Sequence, residues 1–230
     1  MSMYGKEYKF DTVNWMEVAK ANGITDFTVE DAEAMYAIAR EEVSFGNPTK
    51  EWDRKTKRFT AYDDGRGIAT IGVGHRIKKG EEGIFKTLSW QEGIDLFMKD
   101  YVDHREQAKD LMGAWEGTPR WQILSPAQRY WLVDKVFNIG KTGLAMYHGS
   151  VPALLGGDVD RVMKSQVKGG KLGVINRGKN ANAHFYEKWT SMSKEDRKNS
   201  VLSRDSIQGW LKETQPIRDE VKARRKRARK

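Results

Sequence analysis

Residues 59–75 read FTAYDDGRGIATIGVGH and hold the one convincing sheet signal in the chain. Phe59–Asp64 and Ile68–His75 read as two strands folded around Asp64-Gly65, a hairpin of the Asp-Gly kind. Helix punctuation surrounds them. Asp11 or Thr12 can cap a short helix through Ala21, with Gly23 placed just after its end. Thr28-Val29-Glu30-Asp31 has the form of a capping box with Asp at its last position. The helix it opens puts Met35, Ile38, Glu42 and Phe45 on one face and stops at Gly46-Asn47-Pro48. Residues 47–58 are polar and read as a loop. Ser89-Trp90-Gln91-Glu92 is a full capping box opening a helix toward Gly113, with Leu96, Phe97, Tyr101 and Leu111 on its buried side. Ser125-Pro126 opens another, AQRYWLVDKVFNIG. Ser150 and Asp158 can cap two shorter helices, and helical residues follow over 181–189 and 205–212. One hairpin near the start, then helices without internal repeat, predicts a predominantly helical α+β chain.

A chain of 230 residues with eight Trp, eight Tyr and eight Phe can build a sizeable core. It has no cysteine, which excludes disulfides and thiolate metal sites, and its four histidines lack metal-ligand spacing. No cofactor is expected. The first residues hold no apolar run and no stretch approaches a membrane span, so the expectation is a protein made in a cytoplasm without signal peptide or anchor. Net charge is +9, but residues 222–230, KARRKRARK, carry seven of those nine charges and residues 1–221 only +2. That distribution argues against a nucleic-acid-binding face on the body.

Within 69–75 a strand would turn Ile71, Val73 and His75 one way and Thr70, Gly72 and Gly74 the other, leaving one face nearly bare. Glycines in a strand mark close approach by a ligand, or a bulge or tight packing. Carboxylates cluster nearby: Asp63 and Asp64 at the turn, Glu41 and Glu42 at the end of the preceding helix. Glu42 shares its face with Met35 and Ile38, unusual for a solvated charge. A carboxyl in apolar surroundings can act as a general acid while a wetter one acts as base; an exposed helix-end glutamate and ordinary turn aspartates are the plain alternative.

Here the chain resembles the phage-type lysozyme family, the endolysin muramidases of tailed bacteriophages. That pattern is a helix ending in a glutamate, then a tyrosine, an aspartate two residues on, a glycine and Thr-Ile-Gly-x-Gly-His. It is matched by Glu42, Tyr62, Asp64, Gly67 and Thr70–His75. LSWQEGIDLF, KVFNIGKTGLAMYHGSV (135–151) and KGGKLGVINRGKNA (168–181) follow in register. The resemblance covers residues 28–190, with an N-terminal extension over 1–27 and a C-terminal helical extension over 191–230 ending in the basic tail. It implies a bilobed lysozyme-like fold: a small hairpin lobe, a long helix from about residue 90, and a larger helical lobe completing a cleft. The stretch 47–58 is then an insertion, which leaves Glu41, and more remotely Glu51, as alternatives to Glu42. Glu42 is preferred for its apolar face, and because the second glutamate of such a pair carries the chemistry in the family.

The implied activity is N-acetylmuramidase: cleavage of β-1,4 bonds between N-acetylmuramic acid and N-acetylglucosamine, lysing bacteria as an endolysin. Glu42 would protonate the leaving oxygen, Asp64 orient or deprotonate the attacking water, and Thr70 help hold that water, while the bare Gly72 and Gly74 face admits the sugar chain. Arg76, Phe137, Ser150 and Ser165 match substrate contacts, and Asn138 and Thr142 lie in the same cleft-lining segment. Phe137 has plain core as its alternative, His75 reads as a structural hydrogen-bonding partner, and Arg177 is a wall-binding cation or a structural ion pair. The partner is peptidoglycan, met by a monomer after release from the host cytoplasm. The tail is a solvated end or binds an anionic surface such as an outer membrane. A lytic transglycosylase, a non-catalytic wall-binding virion protein and a tail-driven nucleic-acid binder are the rival readings.

Overall fold

The computed structural model describes residues 10–44, 52–53, 55–64, 67–83, 85–164 and 172–228, with backbone alone at 43–44 and 172–179. The chain is α+β and mostly helical. It divides into two compact units, residues 1–102 and 103–230, the division falling within a long helix.

In the first unit, α1 (Trp15–Ala21) is capped by Asn14, whose side chain accepts from the Glu17 amide at 3.3 Å. Asp11 and Thr12, the expected caps, are instead used up in a 3-10 turn, Phe10–Thr12. Helix α2 (Val29–Ser44) opens on the expected box: Thr28 Oγ1 accepts from the Asp31 amide and Asp31 Oδ2 from the Thr28 amide. Phe45, the stop expected at Gly46-Asn47-Pro48 and the turn residue Gly65 lie outside the described residues. Helix α3 (Trp90–Met112) begins with the reciprocal Ser89–Glu92 box.

The hairpin differs from its expectation. Its first strand breaks at Ala61 into β2 (Arg58–Thr60) and β3 (Tyr62–Asp63), which join different sheets. β2 sits between β1 (Trp52–Asp53) and β6 (Thr87–Leu88), while β3 pairs with β4 (Ala69–Ile71), and β4 with β5 (His75–Arg76). β4 ends early because Gly72 and Gly74 take φ +61° and +82°, which a pleated strand cannot accommodate. The chain therefore turns back at once, setting Ile71 opposite His75 and Thr70 opposite Arg76.

Met35, Ile38, Phe59, Ile71, Phe97 and Met98 are fully buried in this unit. The segment before α2 joins them: Trp15 meets the Phe97 ring edge-on and the Phe10 ring lies 5.2 Å from that of Trp90. Phe59 packs so closely on Gly93 of α3 that a Cβ there would fall 2.5 Å from the ring. Full burial of such a side chain stabilises by roughly 1.5–3 kcal/mol.

The second unit holds the two-residue strands β7 (Ala114–Trp115) and β8 (Thr118–Pro119), then α4 (Arg120–Ile123) and α5 (Pro126–Ala145). Ser125 caps α5 ahead of Pro126, as expected, and Gln128 completes a reciprocal box with it. Gly140, at φ 71° and ψ 165°, kinks that helix where the sequence reading ends it. Next come α6 (Ser150–Leu155), α7 (Val159–Lys164) and α8 (Leu172–Ser191). Ser150 is the first helical residue of α6 rather than its cap, because the Val151 amide already bonds Tyr147 O at 2.9 Å. Asp158 does cap α7, accepting from the Arg161 amide.

The chain continues through α9 (Lys194–Asn199), α10 (Arg204–Glu213) and α11 (Gln215–Arg227). The basic run is therefore helical as far as Arg227, not an unstructured end. Trp131 and Trp210 anchor the core, the first donating to Asn182 Oδ1 and the second to Leu111 O. No described helix is long and apolar enough to cross a membrane.

Candidate active site

Helix α2 carries its apolar face through Met35 and Ile38, both at 0% exposure, and one turn later reaches Glu42, which is half-buried. Its side chain lies on the turn after β4. A Cβ built on Gly74 would sit 2.8 Å from Glu42 Oε2, 2.9 Å from Cδ and 3.3 Å from Cγ. Gly74 thus serves two physical needs: a left-handed backbone and a seat for the carboxyl group. The bare glycine face expected to meet a sugar chain is already occupied. Gly74 is covered by Glu42, and Gly72 is buried against Leu88 and Gly93. The reason is the same early end of β4, which converts a sheet face into a tight turn.

Asp64 follows β3. Its amide donates to Ile68 O at 3.1 Å, and its Oδ1 accepts from the Ile68 amide at 3.3 Å. Thr70, only 5% exposed, donates its hydroxyl to the same Ile68 carbonyl at 3.2 Å. One backbone unit therefore orients both side chains. A threonine oxygen whose proton is committed keeps lone pairs that accept from water. Asp63 turns elsewhere, accepting from the Gly67 amide at 3.0 Å. Arg76 is exposed on β5, opposite Thr70 in register.

His75 is buried and structural in its bonding. Nδ1 lies 2.8 Å from Asp100 Oδ2 on α3, Nε2 is 3.7 Å from Glu81, and the ring packs edge-on against Phe85. Burial pulls its pKa down, but the Asp100 hydrogen bond and the charges of Asp100 and Glu81 outweigh that, leaving it raised. In the sequence Asp100 is legible only as a carboxylate at the edge of an apolar stripe, three residues after Phe97.

The remaining candidates lie in the second unit. Phe137, half-buried before the kink, packs on His104 with ring centroids 4.5 Å apart. Asn138 Nδ2 donates to Asp134 O at 2.7 Å, within its own helix. Thr142 is exposed beyond the kink and Ser150 is half-buried at the start of α6. Ser165 and Glu51 lie outside the described residues; Arg177 lies on α8, where only backbone is described. The structure thus brings Glu42 onto the turn of the β3–β4–β5 sheet that also carries Asp64, Thr70 and Arg76. Among the described residues no group of His, Asp and Glu has a metal-holding arrangement.

No protein-family model matches the chain. It is 26% identical over 127 residues to the pre-baseplate central spike protein Gp5 of Enterobacteria phage T4, an alignment covering 47% of this chain. The chain spans 22% of that relative's length. By sequence it is similar, at this distance, to part of a bacteriophage protein.

Proposed function

We propose that the chain is a peptidoglycan hydrolase, an N-acetylmuramidase of lysozyme type using acid/base catalysis. The observation that carries this reading is Glu42 seated on Gly74, at the turn of the small sheet that also carries Thr70 on β4 and Asp64 just after β3. Glu42 delivers a proton to the glycosidic oxygen, and Asp64 activates a water that Thr70 also contacts. An inverting enzyme of this kind keeps its carboxyls roughly 6.5–9.5 Å apart to leave room for that water. Arg76, Phe137, Asn138, Thr142, Ser150, Ser165 and Arg177 are the proposed substrate contacts. The protein meets the wall after leaving the host cytoplasm and acts as a monomer.

A second reading has an observation of its own: the relative's name is that of a spike protein, which favours a virion-borne chain that binds wall with or without cleaving it. Digestion of purified peptidoglycan separates the readings. Reducing ends released by the wild type and lost in Glu42→Gln mean hydrolysis; anhydro ends mean a lytic transglycosylase. Sedimentation with the wall but no soluble product means binding alone.

A further inference from the structure

Three arginines of the second unit are nearly withdrawn from water, and they differ in what neutralises them. Arg105, at 2% exposure, donates Nε–H to Glu106 Oε1 at 3.2 Å. Arg120, at 0% exposure, is held by both oxygens of Glu213 at 2.8 Å, by Met112 O and by Ser206. Arg218, at 5%, donates only to neutral oxygens: Thr214 Oγ1, Leu211 O and Gln215 Oε1. No carboxylate among the described residues pairs with it. A buried charge without a counter-ion is costly, and native proteins pair such groups.

Arg218 also lines an open cavity of ≈ 580 Å³ with His148, Leu211, Lys212, Gln215 and Lys222. Among the described residues, that lining has no acidic side chain. Lys212 is exposed and makes no ion pair with a described residue. Lys222 reaches a carboxylate, Asp219, only at 3.9 Å. His148 donates Nδ1–H to Met146 O at 2.9 Å, which orients its ring. One residue with a planar guanidinium and two with ammonium groups therefore line one space. One carboxylate would neutralise only one of them. A tetrahedral oxyanion with several acceptor oxygens and up to two negative charges suits all three.

We propose that this cavity between the start of α6 and the α10–α11 corner binds a phosphate group, free or as the headgroup of an anionic lipid. The proposal is independent of the muramidase reading. Phosphate supplies the counter-charge that Glu213 gives Arg120, and binding to the folded state alone raises stability by mass action.

The test uses the full chain, inorganic phosphate with acetate as the monovalent comparison, and vesicles of phosphatidylglycerol or phosphatidylcholine. Calorimetry should give saturable phosphate binding in the millimolar range or tighter, with a higher melting temperature, and neither effect with acetate. Lys212→Gln with Lys222→Gln, both exposed and expected to leave the fold intact, should weaken binding at least ~10-fold. Arg218→Gln should weaken it further wherever the variant folds. Lys194→Gln with Lys198→Gln on α9 removes equal charge outside the cavity and should cost less than ~2-fold. If the lipid is the source, phosphatidylglycerol vesicles bind, phosphatidylcholine vesicles do not, and phosphate competes. If free phosphate is the source, neither vesicle binds. Absence of saturable phosphate binding, or equal losses from the two lysine pairs, overturns the proposal.

Discussion

Glu42 and Arg120 both bring a charged group onto a glycine-containing turn, yet the surrounding structure treats them in opposite ways. Glu42 is half-buried at the end of a helix and settles on the backbone of Gly74. Arg120 is sealed from water, with Glu213, Met112 and Ser206 taking up its donors, and a Cβ on Gly113 would stand 3.4 Å from its Nη1. In the first unit, a close fit to a glycine backbone helps to set where a carboxyl stands and leaves the residue within reach of solvent. In the second, hydrogen bonds consume the guanidinium and bind three distant segments together. The contrast separates a charge left within reach of solvent, as the proposed acid must be, from one that holds the fold.

The sharpest way to break this contrast is Glu213→Gln. It leaves Arg120 buried with no carboxylate, and urea unfolding should register a loss of about 3 kcal/mol, the low end for such a pair because Glu213 is itself partly exposed. Hydrolysis per folded molecule should stay unchanged. Glu42→Gln should do the reverse. The proton donor goes while the shape remains, so hydrolysis of isolated peptidoglycan should fall by at least ~10² with stability within about 0.5 kcal/mol. Glu41→Gln should be nearly silent in the same assay; the opposite ranking would move the acid to Glu41.

Gly74→Ala tests the seat itself. The new methyl meets the Glu42 carboxyl and the backbone must hold φ +82°. A stability loss of about 1 kcal/mol and a rate loss of about tenfold are expected, since small misplacements of a catalytic group are expensive. Equal rates for Gly74→Ala and wild type would mean that the Glu42–Gly74 contact does not position the acid.

The smallest effect concerns pH. The folded-state pKa of His75 lies above its ordinary 6.5, so the folded protein binds the proton more tightly than the unfolded chain. The Asp100 pairing therefore contributes fully below pH about 6.5 and is lost as pH rises through the folded value. Urea midpoints measured between pH 5 and 9 should decline over that upper window in the wild type and decline less in Asp100→Asn.

The capping boxes at Thr28 and Ser89 and the cap at Ser125 are legible in the sequence because the partners lie within three residues and obey a local rule. The turn at 72–74 is not, because alternation cannot reveal that a glycine has a positive φ. The strands at 114–115 and 118–119 are too short to carry a pattern. Of the candidate site, Glu42, Asp64 and Thr70 are nameable through the family resemblance. The contacts that hold them, Glu42 on Gly74 and Asp64 and Thr70 on the Ile68 backbone, are not encoded in sequence spacing, and neither is the pairing of Asp100 with His75. Arg218 stays hidden because a cation three and four residues after Gln215 and Thr214 reads as an ordinary solvated helix face, and sequence spacing does not encode its burial.

Helix α11 runs on through Arg224, Arg225, Lys226 and Arg227. Successive helical residues step about 100° around the axis, so four in a row encircle it rather than form a stripe. Such a ring attracts an anionic body from any side and favours no rotation of the helix. It can hasten encounter, with a reach of about 8 Å at physiological salt, but it cannot by itself choose an orientation. That choice falls to one-sided features, and along this helix the feature with a definite side is the hollow bordered by Lys222 and Arg218.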